Sequence, residues 1–303
     1  MSEDAAQIRE PQGDEVETSR MSLGDHLDEL RRRLFRSAIA VVLFFAVAWS
    51  FNEQLKVFTE GPWTQAKGML NELLVEEAEA SLAADPSVER TEYFLTPDPE
   101  DKRLINGIDQ PLYGRGVGTG FMLRLKICFF AALAVGGPYL LWEMWGFIAA
   151  GLYKHERRTV LAYFPTSIFL FYGGIAFAYL LMLPYGIYFL NRMDPDMLRL
   201  GVEANDYLTF FTRMSVGQGV VFQLPVVMTA LARVDIVSPA AMAKFRGHFV
   251  VLAFVLGAIF TPGDPYTQFG MAIPMVLLYE VGIWTSKLAA RRVQAPSQEL
   301  QAS

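Results

Sequence analysis

The chain has 303 residues, 52% of them hydrophobic, with 32 acidic against 26 basic residues and a formal net charge of -6. Its single cysteine, Cys128, excludes an intrachain disulfide and a multi-cysteine metal site. The charge is unevenly spread: residues 52–119 carry 13 acids and 6 bases, a balance of -7, so the rest is close to neutral. That acidity belongs to one segment and points to neither nucleic acid nor an acidic substrate.

Clustering of the apolar residues decides the class. Residues 37–51, 161–190 and 214–232 contain no charged side chain. Runs of about 18 or more apolar residues mark membrane-spanning helices. The expectation is an all-α integral membrane protein with six transmembrane helices in a proline-kinked bundle.

In chain order, a polar tail over 1–21 leads into MSLGDHLDELRRRL. Ser22 is read as an N-cap with Asp25 as its capping-box partner. Leu23, Leu27, Leu30 and Leu34 form one apolar stripe, and Asp28 and Arg32 stand at pairing distance on the polar side. The arginines ahead of an apolar run, with Ala46-Val47-Ala48 beyond, also have the outline of a secretory leader, but the polar tail is a poor start for one.

The six spans are placed at 34–51, 120–150, 159–190, 207–233, 247–260 and 266–284, within a membrane domain over 22–287. Residues 52–119 form an acidic outer loop, and 288–303 a cytoplasmic tail. The fifth span is short, about 21 Å at about 1.5 Å per residue against a hydrocarbon core of about 30 Å. The turn over 261–265 makes it a tight hairpin with the sixth. Pro138, Pro165, Pro184, Pro225 and Pro274 interrupt the spans and favour kinks.

Lysine and arginine orient the whole. Arg31, Arg32, Arg33, Arg36, Lys154, Arg157, Arg158, Arg233, Lys244, Arg246 and Lys287 fall on one side, the other having Arg192 and Arg199. By the positive-inside rule both termini face the cytoplasm. Arg124, Lys126 and Arg213 are misfits near the outer starts of spans and are expected to snorkel.

Ionisable groups in or beside spans are the functional candidates. Glu29 and Glu156 lead, both on the cytoplasmic face. Two readings stand for Glu156: a loop residue paired with Arg157 or Lys154, or one of two carboxylates presented to a cationic ligand. Carboxylates hold guanidinium through two parallel charge-assisted hydrogen bonds, which lysine cannot reproduce. Glu143 and Glu280 are read as reaching the cytoplasmic interface. Gln223, two residues before Pro225, suits either a structural role or an interhelical contact with a partner. Asp264 reads mainly as a turn residue. There is no phosphate-binding glycine loop and no H-E-x-x-H, and His26, His155 and His248 are scattered, so no enzyme, metal or cofactor is expected.

His26-Leu-Asp-Glu-Leu-Arg-Arg-Arg-Leu34 resembles the H-L-x-E-L-R-x-R-L signature of the TatC family, the multi-span subunit of the twin-arginine protein translocase. FIAAGLYKHERR, from Phe147 to Arg158, resembles its cytoplasmic loop. Phe260-Thr-Pro-Gly-Asp264 with Gln268 and Ala272-Ile-Pro-Met275 resembles its outer hairpin and last span. The resemblance implies a cupped six-helix bundle, both termini inside, in a bacterial inner membrane. It implies a receptor and scaffold for twin-arginine signal peptides of folded cargo, working with single-span TatA and TatB subunits and the proton-motive force. By motif position Glu29 and Glu156 would contact the arginine pair, and Arg31, Phe147 and Leu152 would shape the site. Gln223 would contact a partner helix, and Asp264 and Gln268 would support assembly. A homo-oligomer within a larger complex, and no nucleic acid, go with it. The acidic insert around Glu72 to Arg103 and the glycine-rich 114–120 segment depart from the family pattern. The alternative is a proton-coupled transporter of a small solute using Glu280, Gln223 and the kinked helices, but the strongest acids sit at the surface rather than the midplane.

Overall fold

The computed structural model describes residues 23–84, 112–193, 202–261 and 263–299. Ser22, Arg199 and most of the acidic insert beyond residue 84 lie outside them. Among the described residues the fold is helical, with one isolated backbone bridge between Tyr113 and Glu203.

Helix α1 (Leu23–Ser50) runs unbroken through what the sequence suggested as a surface helix followed by a span. Nothing breaks it, since no proline or glycine intervenes after Gly24. Helix α2 (Asn52–Ala84) follows at once and is a correction to the expected loop, although it lies in the stretch assigned there. It buries Thr59, Trp63, Ala66 and Leu70 at spacings of three and four, one face of a helix.

Helix α3 (Thr119–Ala150) is the second span. The third is assembled from α4 (Lys154–Leu161), α5 (Phe164–Phe177), a π turn over Ala178–Met182 and α6 (Leu183–Met193). The fourth is α7 (Ala204–Val221) and α8 (Leu224–Arg233). A short α9 (Pro239–Lys244), capped by the Ser238 hydroxyl accepting from the Ala241 N–H, leads to α10 (Arg246–Phe260) and α11 (Pro265–Glu299). Among the described residues five helical stretches are long and apolar enough to cross a membrane, and α10 is a sixth, shorter apolar helix of 15 residues. At about 1.5 Å per residue it spans about 22 Å.

The five prolines differ in effect. Pro165 and Pro225 sit at the starts of α5 and α8, where the helices restart after a break. Pro184 follows the π turn, in which the Leu183 N–H reaches back to the Ala178 carbonyl. Pro138 and Pro274 lie inside unbroken α3 and α11.

Packing is pairwise: α1 runs along α3, α5 along α7, α8 and α10 along α11, and α2 against α6. The core centres on Trp145, Phe211, Met214, Met271 and Met275. At the end of the bundle where α3 and α7 begin, the Tyr113–Glu203 bridge ties the approach to α3 to the start of α7, with Ala204 N–H donating to Tyr113 O at 2.8 Å. Two of the three misfit bases are held by protein there, and Arg213 is exposed. Arg124 lies 4.3 Å over the Trp49 ring, and Lys126 Nζ donates to Asn205 Oδ1 and Thr209 Oγ1, both at 2.6 Å.

Candidate functional site

The N-terminal half of α1 turns His26, Glu29 and Arg33 toward α3, at helical spacings of three and four. The leucine stripe faces the other way: Leu27, Leu30 and Leu34 are exposed. Three polar groups of this helix therefore face the bundle, while Asp28, Arg31 and Arg32 stay exposed. Lipid is as apolar as a leucine core, so in a membrane the polar groups gain most from protein partners.

Arg33 is the centre of this face. Its Nε donates to Glu29 Oε1 at 2.7 Å and its Nη2 stands 2.6 Å from the same oxygen. Its Nη1 donates to Glu143 Oε2 at 3.0 Å. Glu143 is 5% exposed, and its other oxygen accepts from the Tyr139 hydroxyl at 2.9 Å. The interfacial role expected for Glu143 is thus corrected: the carboxylate is buried and paired, the arrangement in which a charge among apolar helices is tolerated. The expected Asp28–Arg32 pair is also replaced, since Arg32 Nη1 stands 3.7 Å from Glu29 Oε2 instead.

One turn below, His26 stacks on Phe147, ring centroids 4.5 Å apart, and lies against Gly151 at the end of α3. The chain reverses through Gly151, Leu152 and Tyr153 into α4. There the Glu156 carboxylate accepts the Tyr153 N–H at 3.2 Å, so it caps the helix it sits on. The structure therefore gathers Glu29 and Phe147 around His26 and Arg33, with Leu152 on the turn that follows and Glu156 in the first turn of α4. Arg31 is not on this face. It lines an open recess of about 690 Å³ on the other side of α1, with Asp28, Arg32 and Phe35.

Arg33, Glu143, Tyr139 and Gly146 were missed as site residues by sequence reasoning. One signal was available: a lone acid deep in an apolar span requires a nearby cation or proton, and α1 supplies the arginines.

The remaining candidates lie elsewhere. Gln223, 6% exposed, sits in the break between α7 and α8. Its amide donates to Ser167 O at 3.2 Å and Gly219 O at 3.3 Å and accepts from the Ser167 hydroxyl. These bonds join two spans of this chain. Asp264 caps α11, accepting the Thr267 N–H at 2.8 Å and the Thr267 hydroxyl. Gln268 donates to Phe254 O at 3.0 Å, pinning α11 to α10. Glu280 pairs with Arg246 at 2.7 Å on an exposed surface. Among the described residues no group of three or more His, Cys, Asp or Glu side chains is placed to hold a metal.

Residues 25–274 match the sequence model of the family described as Sec-independent protein translocase protein (TatC). The chain is 30% identical over 286 residues to the Sec-independent protein translocase protein TatC of Halothiobacillus neapolitanus, covering 94% of this chain and 68% of that one. It is 31% identical over 262 residues to the TatC protein of Escherichia coli K12, covering 86% of each. The solved crystal structure of a twin arginine translocase receptor, TatC, superposes with a TM-score of 0.63 at 30% identity, over 87% of this chain and 99% of that one.

Proposed function

The chain belongs to the TatC family of Sec-independent protein translocase proteins, and from that premise we propose that it is the receptor and scaffold that binds twin-arginine signal peptides of folded cargo. The observation that carries this is Glu29 one helical turn from His26, which stacks on Phe147 at the end of α3, with Glu156 in the first turn of the adjoining α4. Both carboxylates are held by backbone or side-chain donors and only partly buried. Each is in place before a ligand arrives, so little side-chain ordering is left for binding to supply. The charge distribution of the short loops supports a cytoplasmic setting for this face, with both termini inside a bacterial inner membrane.

Phe147 and Leu152 would form the apolar floor. Arg31, on the far face of α1, would act on lipid headgroups or a neighbouring subunit rather than on the peptide. Single-span TatA and TatB subunits would dock along the spans near Gln223, which supports them by fixing the α7–α8 break. Asp264 and Gln268 would hold the outer hairpin for assembly, homo-oligomer included. The proton-motive force is the energy source this reading requires. The two polar groups that a small-solute path would use, Gln223 and Glu280, are engaged with Ser167 and Arg246, which weighs against that alternative.

Photocrosslinking of a twin-arginine signal peptide to membranes carrying the translocase tests the reading. Glu29→Ala and Glu156→Ala each reduce the crosslink, and the double variant abolishes it. Undiminished crosslinking in all three overturns the assignment.

A further inference from the structure

The carboxylate proposed to receive cargo arginine already holds one. Both Nε and Nη2 of Arg33 converge on a single oxygen of Glu29, Oε1, at 2.7 and 2.6 Å. A guanidinium presenting that edge to a free carboxylate would share its two donors between two oxygens. Here Glu143 draws Nη1 to the other side, at 3.0 Å. Gly146 leaves the space for it: a methyl group at that position would overlap Nη1 and stand 2.7 Å from the Arg33 Cζ. Among the described residues, Oε2 of Glu29 receives no hydrogen bond, and the exposed Arg32 stands 3.7 Å from it.

We infer that Arg33 is a positioning residue that keeps Oε1 of Glu29 occupied and thereby sets how strongly the peptide site prefers arginine to lysine. The inference rests on the reading that Glu29 receives a cargo arginine. An incoming guanidinium finds one oxygen, so its second donor has no parallel acceptor. A lysine ammonium makes a single directed bond in either case. At Glu29 the two side chains are therefore nearly equivalent while Arg33 is seated. With Arg33 withdrawn, both oxygens open: the loss of its positive charge favours either cation, and guanidinium alone gains a second parallel bond as well. A purely structural Arg33 would instead change the binding of both peptides in the same proportion.

The test uses the assembled translocase in inverted membrane vesicles and three synthetic signal peptides: Arg-Arg, Lys-Arg and Arg-Lys. Two variants withdraw Arg33 by different routes. Arg33→Gln with Glu143→Gln removes it without stranding a buried charge, and Gly146→Ala displaces the guanidinium with no change of charge. In each, the affinity ratio of the Arg-Arg peptide over one of the two lysine peptides rises by about threefold or more. Unchanged ratios in a variant that assembles and melts like the parent overturn the inference. If the double variant fails to assemble, Gly146→Ala decides. Glu29→Gln separates the two claims. If it leaves Arg-Arg binding intact, the binding reading and this inference fall together. If it weakens that binding while the ratios stay fixed in the Arg33-displaced variants, only the inference falls.

Discussion

Arg33 and Glu143 are 110 positions apart in the chain and 3.0 Å apart in the fold, joined as a largely buried ion pair between the first two spans. The pair fixes the rotation of α1 about its own axis. It holds the polar face of α1 against α3 and leaves the leucines outward, and so decides which way Glu29 points.

Glu143→Ala leaves the Arg33 guanidinium partly buried with only Glu29 to answer it. Breaking a buried pair outright costs about 3–5 kcal/mol; with Glu29 still 2.6 Å from the guanidinium the loss is smaller, and a fall in melting temperature of the detergent-purified protein is expected. Arg33→Met combined with Glu143→Met replaces the pair by apolar groups of similar size and recovers most of that loss. A single Glu143→Ala variant as stable as the parent would contradict the pairing.

At Gly174, α5 packs directly on the backbone of α7. A methyl group there would lie 2.5 Å from the Gln218 carbonyl oxygen and 3.0 Å from the Gly219 Cα. Those are backbone atoms, which cannot rotate aside. Gly174→Ala therefore pushes two spans apart and costs about 1–3 kcal/mol. Gly173, with nothing within 4 Å of the same methyl position, serves as the matched control. Thermal unfolding of the two variants separates them: Gly173→Ala melts at or above the parent temperature, Gly174→Ala well below it.

The spans were legible because each carries its own local signal, a run apolar along most of its length, and three of these are uncharged over 15 residues or more. The short α10 was legible from its apolar run and the turn that follows, although it falls short of the hydrocarbon core. The setting of α1 was not. The leucine stripe at 27, 30 and 34 follows the rule for a helix on a soluble core, and in a membrane that stripe faces away from the bundle. Asp28–Arg32 and Glu29–Arg33 satisfy the i,i+4 rule equally, and only the buried acid on α3 chooses between them. Glu29 and Glu156 could be named from motif position. That Arg33 shares Glu29 with Glu143 depends on a distant residue and on the missing side chain of Gly146, which no local pattern contains.

Asp264 acts first on the start of α11. Its carboxylate accepts the Thr267 N–H at 2.8 Å, in the manner of an N-cap. Asp264→Ala lowers stability by about 1 kcal/mol, whereas Asp264→Asn retains the acceptor and loses only a few tenths. Export of a twin-arginine reporter measured beside the melting temperatures tells cap from charge. Activity that follows the cap survives in Asp264→Asn. Loss of export in a stable Asp264→Asn variant would assign the residue a role that needs its negative charge.

Glu156 combines a structural duty with the proposed binding one, and the two respond differently to glutamine. The Tyr153 N–H needs an acceptor oxygen, which Glu156→Gln still provides, so α4 stays capped and the melting temperature moves little. Glu156→Ala removes the acceptor and costs about 1 kcal/mol. Binding of a cationic peptide needs the charge, because a hydrogen bond to an ionised acceptor is roughly twice as strong as a neutral one. Glu156→Gln and Glu156→Ala are therefore expected to weaken twin-arginine peptide binding alike, by about tenfold, while differing in stability. Binding measured against salt gives the independent check. The parent loses affinity as ionic strength rises, and Glu156→Gln shows a shallower dependence because one charge has left the site. Parent-like binding and parent-like salt dependence in Glu156→Gln would leave the residue with its capping role alone.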